Sequence, residues 1–445
     1  MKKIFQYILM AVAVVVTASC SNELDEALQP ANNGTLQFVV GDFPAFGEGT
    51  LTRAIGTQDE GKTAWENGDQ IIVTLISQKY GEQAAALTYD GSSWSTEASL
   101  SYLENEIPTV SAVYAPCYEV TVEGVKQLRS GMQLGMCEYL EADCEIQNGT
   151  INISFADALR TYSRLRIAGL ENQTLTVTTT DFTPAGATSV ATEPYTLTTD
   201  EKGNAYLYGT FAEGATVKVK KGDVTLTDYT FTFTTELIQS YALDARPAID
   251  GTLGGKATAE ESDIIALIEQ LKEYVDNGIT TIIVTGAEPA IIDMDSWINT
   301  AIGEAIYRLS GSDDYDENNP YNGKIDLILQ DVTEIVDQEF YSAWALNSIT
   351  LPKVIKIGDE AFHRTWFLKT ITFESVLTEV NQTSGDMFDQ VGEKVNGCNL
   401  FINCGQMKEN SVPTPDLTTN TWFKNEFKSI TLTHTGDCDE CKANQ

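Results

Sequence analysis

Few residues of this 445-residue chain have the type and spacing to do chemistry. Only two histidines occur, His363 and His434, so a histidine-dependent triad has little to draw on. Cys438-Asp439-Glu440-Cys441 has the spacing of a redox pair. It stands in a polar tail, without the strand and helix that position such a pair and without the further ligands a metal site needs. Asp313, Asp314, Asp316 and Asn318 open like a calcium loop, but the twelfth position counted from Asp314 is Ile325, where the closing glutamate should stand. Sixty-four acidic residues would allow a carboxylate pair for glycoside hydrolysis, yet no pair is singled out. The expectation is a binding protein, not an enzyme, with no cofactor and no resident metal. The most distinctive reactive position is Cys20, directly after the small residues Thr17-Ala18-Ser19.

The elements that must position a binding site are clearer. Ile335, Phe340, Leu346, Ile349 and Leu351 recur 22 residues later as Ile357, Phe362, Leu368, Ile371 and Phe373. A fixed period in the twenties with apolar residues at fixed phases means stacked coils, each burying its neighbour's apolar edge. Trp344 and Trp366 share the same offset, as do Tyr341 and His363. These four are the candidate ligand contacts, an aromatic ledge for a sugar ring or a protein. The alternative is that the indoles pack against nearby helices or the linker. Gly358 permits a tight turn that Val336 must make without help.

Net charge is −36, from 28 basic and 64 acidic residues. A field of that sign repels phosphate backbones and argues against a nucleic-acid partner. Lys2 and Lys3, the apolar run Ile8–Val16 and the small residues before Cys20 read as a secretory signal, too short to span a bilayer. Cysteine usage is ordinary; Cys137 with Cys144, or Cys398 with Cys404, could close small loops. Short runs of β-branched and aromatic residues between Gly, Asn and Asp turns fill residues 35–250, as in β-sandwiches. Beyond the glycine-rich stretch 251–257 the spacing turns helical at Ile264, Leu267, Ile268 and Leu271. It does so again at Trp297, Ile298, Ala301, Ile302 and Ile306. The apolar strands Ile279–Val284 and Ile325–Leu329 follow these two stripes in turn. The crossover they form would cap the coils.

Four resemblances follow. The N-terminus resembles a bacterial lipoprotein signal, which implies acylation of Cys20. The tract Ser21-Asn22-Glu23-Leu24-Asp25-Glu26 resembles an export tag to the outer face of the outer membrane. Leu51-Thr52-Arg53-Ala54, then Trp65-Glu66-Asn67-Gly68-Asp69-Gln70-Ile71-Ile72-Val73, then Phe155-Ala156-Asp157-Ala158-Leu159, resemble the fimbrillin-like (Mfa-like) surface proteins. There Trp65 would plug the end of a sandwich, and Arg53 is the position to which proteolytic processing would transfer. A chain that continues into another domain fits an anchoring, capping or stand-alone role better than a polymerising one. Ile357-Gly358-Asp359-Glu360-Ala361-Phe362 with Leu368 and Ile371 resembles the BspA-like leucine-rich repeat of surface adhesins. The implied fold is multidomain: two transthyretin-like β-sandwiches, then an α/β leucine-rich-repeat solenoid with a helical N-terminal cap.

The expected boundaries are a signal peptide (1–19), a lipid-anchored tether (20–34), sandwiches at 35–147 and 148–250, and a linker (251–257). Cap and repeats occupy 258–435, before a polar tail (436–445). About five rungs are expected, with insertions at 381–397 and 406–424. The implied role is a lipoprotein of the cell outer membrane, facing the exterior. It would be an adhesin or fimbria-associated anchor or tip protein that binds a host or bacterial surface protein or glycan, and fimbrial subunits are further partners. The alternative is a glycan-capture lipoprotein of a nutrient-uptake system.

Overall fold

The computed structural model describes residues 36–44, 46–48, 62–103, 106–121, 126–155, 160–286, 290–291, 298–312, 314–381, 386–408 and 412–433. The chain divides into two compact units. The first takes residues up to Pro44, then Ala64–Arg129 and Leu140–Leu159; the second takes Ala45–Thr63, Ser130–Tyr139 and everything from Arg160.

The first unit holds a seven-stranded sheet and a small hairpin that pairs Tyr118–Val120 with Lys126–Leu128. Its order along the sheet is Gln37–Val40, Thr150–Ser154, Leu140–Gln147, Thr109–Tyr114, Gln70–Ser77, Gly81–Tyr89 and Trp94–Ser95. Only the first pair is parallel. The two end strands lie beside each other, so the sheet folds over its own core. Ile71, Val73 and Leu75 are fully buried at period two, as strand geometry requires. The Asn67-Gly68 turn before them is tied by the Glu66 N–H donating to the Asp69 carboxylate at 2.6 Å. Trp65 plugs this core: its indole N–H donates to the Gly41 carbonyl at 2.8 Å, and its ring meets Phe43, Trp94, Tyr114 and Phe155 edge-on. The expected break between residues 147 and 148 falls inside a hairpin, where Gln147 pairs with Thr150.

The second unit begins with a two-sheet sandwich. One sheet orders Phe182–Pro184, Asn204–Phe211, Ser163–Ala168, Gln239–Asp244 and Gly47–Glu48; the other orders Tyr195–Thr198, Thr174–Thr179, Thr216–Lys221 and Val224–Thr230. Leu165, Ile167, Leu175, Val177, Leu207, Val217 and Val219 fill the space between them. Phe182 stacks on Phe211 at 4.3 Å, and Phe211 on Phe231 at 4.7 Å.

After the sandwich, seven parallel strands form a ladder: Ala248–Asp250, Thr281–Thr285, Ile325–Leu329, Leu346–Leu351, Thr370–Phe373, Asn399–Asn403 and Ser429–Thr433. Ser348 pairs with Thr370, Ile349 with Ile371 and Leu351 with Phe373, which is the 22-residue offset made physical. A second, shorter ladder pairs Ile335 with Ile357 and Ile357 with Val380. Phe340, Phe362 and Phe388 stack inside, each 5.7 Å from the next, with Phe340 and Phe362 fully buried.

This architecture corrects the α/β leucine-rich-repeat solenoid with a helical cap. Strands dominate, and only two α-helices occur among the described residues, α1 (Glu261–Asp276) and α2 (Ala301–Leu309). Neither belongs to a 22-residue coil. Within each coil the return leg is turns and a two-residue strand, because its length is spent on two ladder contacts and the turns between them. The helices do not form a separate cap. Ile264, Leu267 and Leu271 of α1 and Ile302, Ala305 and Ile306 of α2 share one continuous core with Ile349, Phe362 and Leu400. α1 starts on a capping box formed by Glu260 and Asp263, and α2 starts on Thr300, whose hydroxyl accepts from the Gly303 N–H at 3.2 Å.

Residues 251–257, expected as a linker between domains, lie inside the second unit. The ladder already begins at Ala248, where Ala248 pairs with Ile283. The Asp250 carboxylate accepts from the Thr252 hydroxyl and from the Thr252 and Gly254 N–H groups. These bonds, the Thr252 hydroxyl foremost, hold its pKa below the usual carboxylate value. Val224 of the sandwich lies in the ladder core and Leu226 packs against both cores, so a sandwich strand and the ladder bury the same surface.

Gly358 also has a different reason from the one expected. It is absent from the positive-φ residues. A Cβ there would stand 2.3 Å from the Asp337 nitrogen and 2.4 Å from the Val336 carbonyl carbon of the preceding coil, so the coils can close only over a hydrogen.

Cys117 and Cys137 are disulfide-bonded, while Cys144 and Cys398 keep their thiols. The expected Cys137–Cys144 and Cys398–Cys404 loops are therefore not closed. Burial pushes the Cys398 thiol up to about 12 and the Cys144 thiol up to about 11. Reactivity needs the thiolate, so iodoacetamide at pH 8 should leave both unmodified in the native protein and alkylate both after denaturation, as read by mass spectrometry. The core makes a second prediction. Phe362→Ala removes a ring stacked on both sides and should cost about 3–5 kcal/mol in denaturant unfolding; a loss below about 1 kcal/mol would contradict the stack.

Candidate ligand-binding site

The site grows from the turn that leads each coil into its ladder strand. Phe340 N–H donates to the Ala361 carbonyl and Ser342 N–H to that of His363; one coil on, Phe362 N–H donates to Met387 and Arg364 N–H to Asp389. The turns are thereby stacked in register, although the third coil carries four extra residues. Side chains fall into columns: Phe340, Phe362, Phe388 inward; then Tyr341, His363, Asp389; then Ser342, Arg364, Gln390. The last column has positive φ in every member, 51°, 58° and 59°, with no glycine among them. Left-handed backbone of that kind costs on the order of 1–2 kcal/mol per residue, and the stacked hydrogen bonds hold it.

Two ring columns result. Trp344 and Trp366 lie 5.0 Å apart at 13°, and Tyr341 and His363 lie 5.2 Å apart at 4°. The four residues expected as an aromatic ledge are thus brought together, but not equally offered to solvent. Trp344 is fully buried and its indole N–H donates to the Arg364 carbonyl at 2.9 Å, so it supports the site and presents no surface. Trp366, Tyr341 and His363 are half-buried. The Trp366 N–H donates to the Gln390 side-chain oxygen at 3.1 Å. The His363 Nδ1 stands 4.0 Å from the Asp389 carboxylate.

Three neighbours were not legible in the sequence. Tyr315 meets Trp344 and Trp366 edge-on at 5.0 and 5.1 Å, closing one side of the indole stack. The Arg364 guanidinium lies 5.2 Å from the Trp366 ring centre, and an Arg364 N–H donates to the Tyr341 hydroxyl at 3.4 Å. The Lys394 ammonium lies 5.4 Å from the same indole and 5.6 Å from Tyr315. Cations against ring faces are attracted by the ring quadrupole, worth about 0.5–1 kcal/mol at exposed sites. The surface is accordingly aromatic at its base and cationic at its rim.

The other singled-out residues take no part here. Asp316 accepts from the Asn318 N–H at 2.9 Å and serves its own loop. Among the described residues no group of three or more His, Cys, Asp or Glu side chains could hold a metal ion. Cys20, Arg53, Trp297, Asp313, His434, Cys438 and Cys441 lie outside the described residues. No described helix is long and apolar enough to cross a membrane.

No protein family and no curated protein matches the chain. Among solved structures it is similar to a candidate cell adhesion protein from Bacteroides fragilis, at 8% identity and TM-score 0.25, over 47% of this chain and 92% of that one. It is also similar to a doubly substituted shaft pilin SpaA from Lactobacillus rhamnosus GG, at 13% identity and TM-score 0.15, over 40% and 87% of the two chains.

The two tryptophans should behave differently. Trp344→Ala opens a buried cavity and should cost about 3–5 kcal/mol of stability, whereas Trp366→Ala should cost less. Tyr315→Ala should increase acrylamide quenching of tryptophan fluorescence, and that increase should vanish in a Trp366→Phe background.

Proposed function

We propose that this chain is a cell-surface adhesin or fimbria-associated lipoprotein that acts by binding and performs no catalysis. In this reading Cys20 carries the lipid that attaches it to the outer membrane, the sheets of the N-terminal part act as a spacer, and the parallel ladder makes contact. The observation that carries it is the ladder's outward column. Asp326, Ser348, Thr370, Asn399 and Ser429 pair in register across five neighbouring strands, and all are half-exposed. Asp326 accepts from Asn347 and Ser348, and Asn399 accepts from Ser429, so the polar groups are fixed in direction. A rigid, repeated row of hydroxyls, amides and a carboxylate is a recognition surface that loses little entropy on binding. The partner is a host or bacterial surface protein or glycan.

A second reading, glycan capture for nutrient uptake, is favoured by the half-buried rings and cations around Trp366. Cells producing the chain should adhere to host or bacterial surfaces more than cells lacking it. Thr370→Arg and Ser348→Arg, which crowd the outward column without touching the core, should reduce adhesion at unchanged surface amount. Equal adhesion with and without the chain would remove the adhesion reading, and growth on a glycan that depends on the chain would favour the second.

A further inference from the structure

We propose that the rim of Trp366 binds the carboxylate of an acidic saccharide, a pyranose carrying a carboxyl group, through Arg364 and Lys394. This rests on the reading of the chain as a surface-binding protein and names a ligand class for it. The chain has 64 acidic side chains, and carboxylates hold many of its cations: Arg129, Arg160, Lys218, Arg246, Lys256, Arg308, Lys353 and Lys356 are all ion-paired. Arg364 and Lys394 make no ion pair among the described residues, yet come from successive coils and converge on one indole.

Arg364 does so from a left-handed backbone position, φ 58°, that Ser342 and Gln390 occupy in the neighbouring coils. A guanidinium laid against a ring keeps its in-plane N–H groups available, and those groups match a carboxylate two at a time. Lys394, exposed, adds a second positive charge beside Tyr315. The rim also offers the Tyr341 hydroxyl, which accepts from Arg364 and keeps its own proton to donate, and the second N–H of Gln390, whose oxygen holds Trp366 and whose first N–H donates to Asp389 at 3.4 Å; ring edges remain for sugar C–H groups. An acidic peptide would use the charges but not this mixture.

Carboxylates nearby oppose an anion. Asp389 lies beside His363, Glu393 precedes Lys394, and Asp314, Asp316 and Glu317 flank Tyr315. They make the affinity modest and salt-sensitive, and they supply a control, because neutralising Asp389 should tighten binding.

The test titrates the full chain with 3′-sialyllactose against lactose, and with a glucuronate-terminated disaccharide against its glucose counterpart. An acidic oligoglutamate peptide serves as a further probe. Acidic sugars should bind at least about 10-fold more tightly than their neutral partners, one bidentate charged contact's worth. Arg364→Gln with Lys394→Gln should abolish that preference while near-ultraviolet dichroism stays native, and Asp389→Asn should strengthen binding. No saccharide binding, equal binding by the double variant, or binding of the peptide alone would overturn the proposal. Adhesion that needs the chain but is unchanged in the double variant would sink this inference and leave the adhesion reading standing.

Discussion

Parallel pairing in register between successive coils is the constraint on which the second unit depends. When Ser348 sits opposite Thr370, Ile349 must sit opposite Ile371 and Leu351 opposite Phe373. A slip of one residue would turn every inward side chain to water. The inward columns are fully buried, from Ile349 and Ile371 to Leu400, so the hydrophobic term and the backbone ladder select the same register. Gly358 shows how tightly this is drawn, since any side chain there would meet the backbone of the coil before.

The candidate site is a by-product of that stacking. Once coils superpose, residues at the same phase must touch, and rings at the same phase must stack. Trp344 on Trp366 and Tyr341 on His363 are therefore paid for by the ladder and need no contact of their own to find each other. The left-handed turns at Ser342, Arg364 and Gln390 are held in the same way. Chemical variety then comes at no cost to the fold, because these positions project from turns. Tyrosine, histidine and aspartate follow one another down one column, and serine, arginine and glutamine down the next.

The expectations failed where the period was interrupted or where contact was remote in sequence. The third coil is four residues longer, so Phe388 falls 26 residues after Phe362, outside the 22-residue period, and still stacks on it. With it went Gln390, which holds the Trp366 indole. The acidic stretch around Asp314 shows carboxylates to a reader of the sequence, whereas its contribution is the Tyr315 ring against both indoles. Glycines at 251–255 mimicked a linker, yet Asp250 knots them into a tight turn between two elements of one core. The helical stripes were real, but a stripe shows only that one face is apolar. It does not show whether that face covers an end or joins the common core, as α1 and α2 do.

The phase of each coil is written in the amino-acid order alone. Ile335 and Ile357, Phe340 and Phe362, Ile349 and Ile371 had to face inward, because apolar side chains repeated at a fixed interval can be buried only by stacking. The same repeat placed Trp344, Trp366, Tyr341 and His363 together. Tertiary structure alone decided that the coils carry no helix, that Val224 and Leu226 bind the sandwich strand to the ladder, and which indole meets solvent. It also brought Arg364 and Lys394 to one ring. Those outcomes turn on contacts between segments tens of residues apart, whose register depends on insertions and loop closure that no local period encodes.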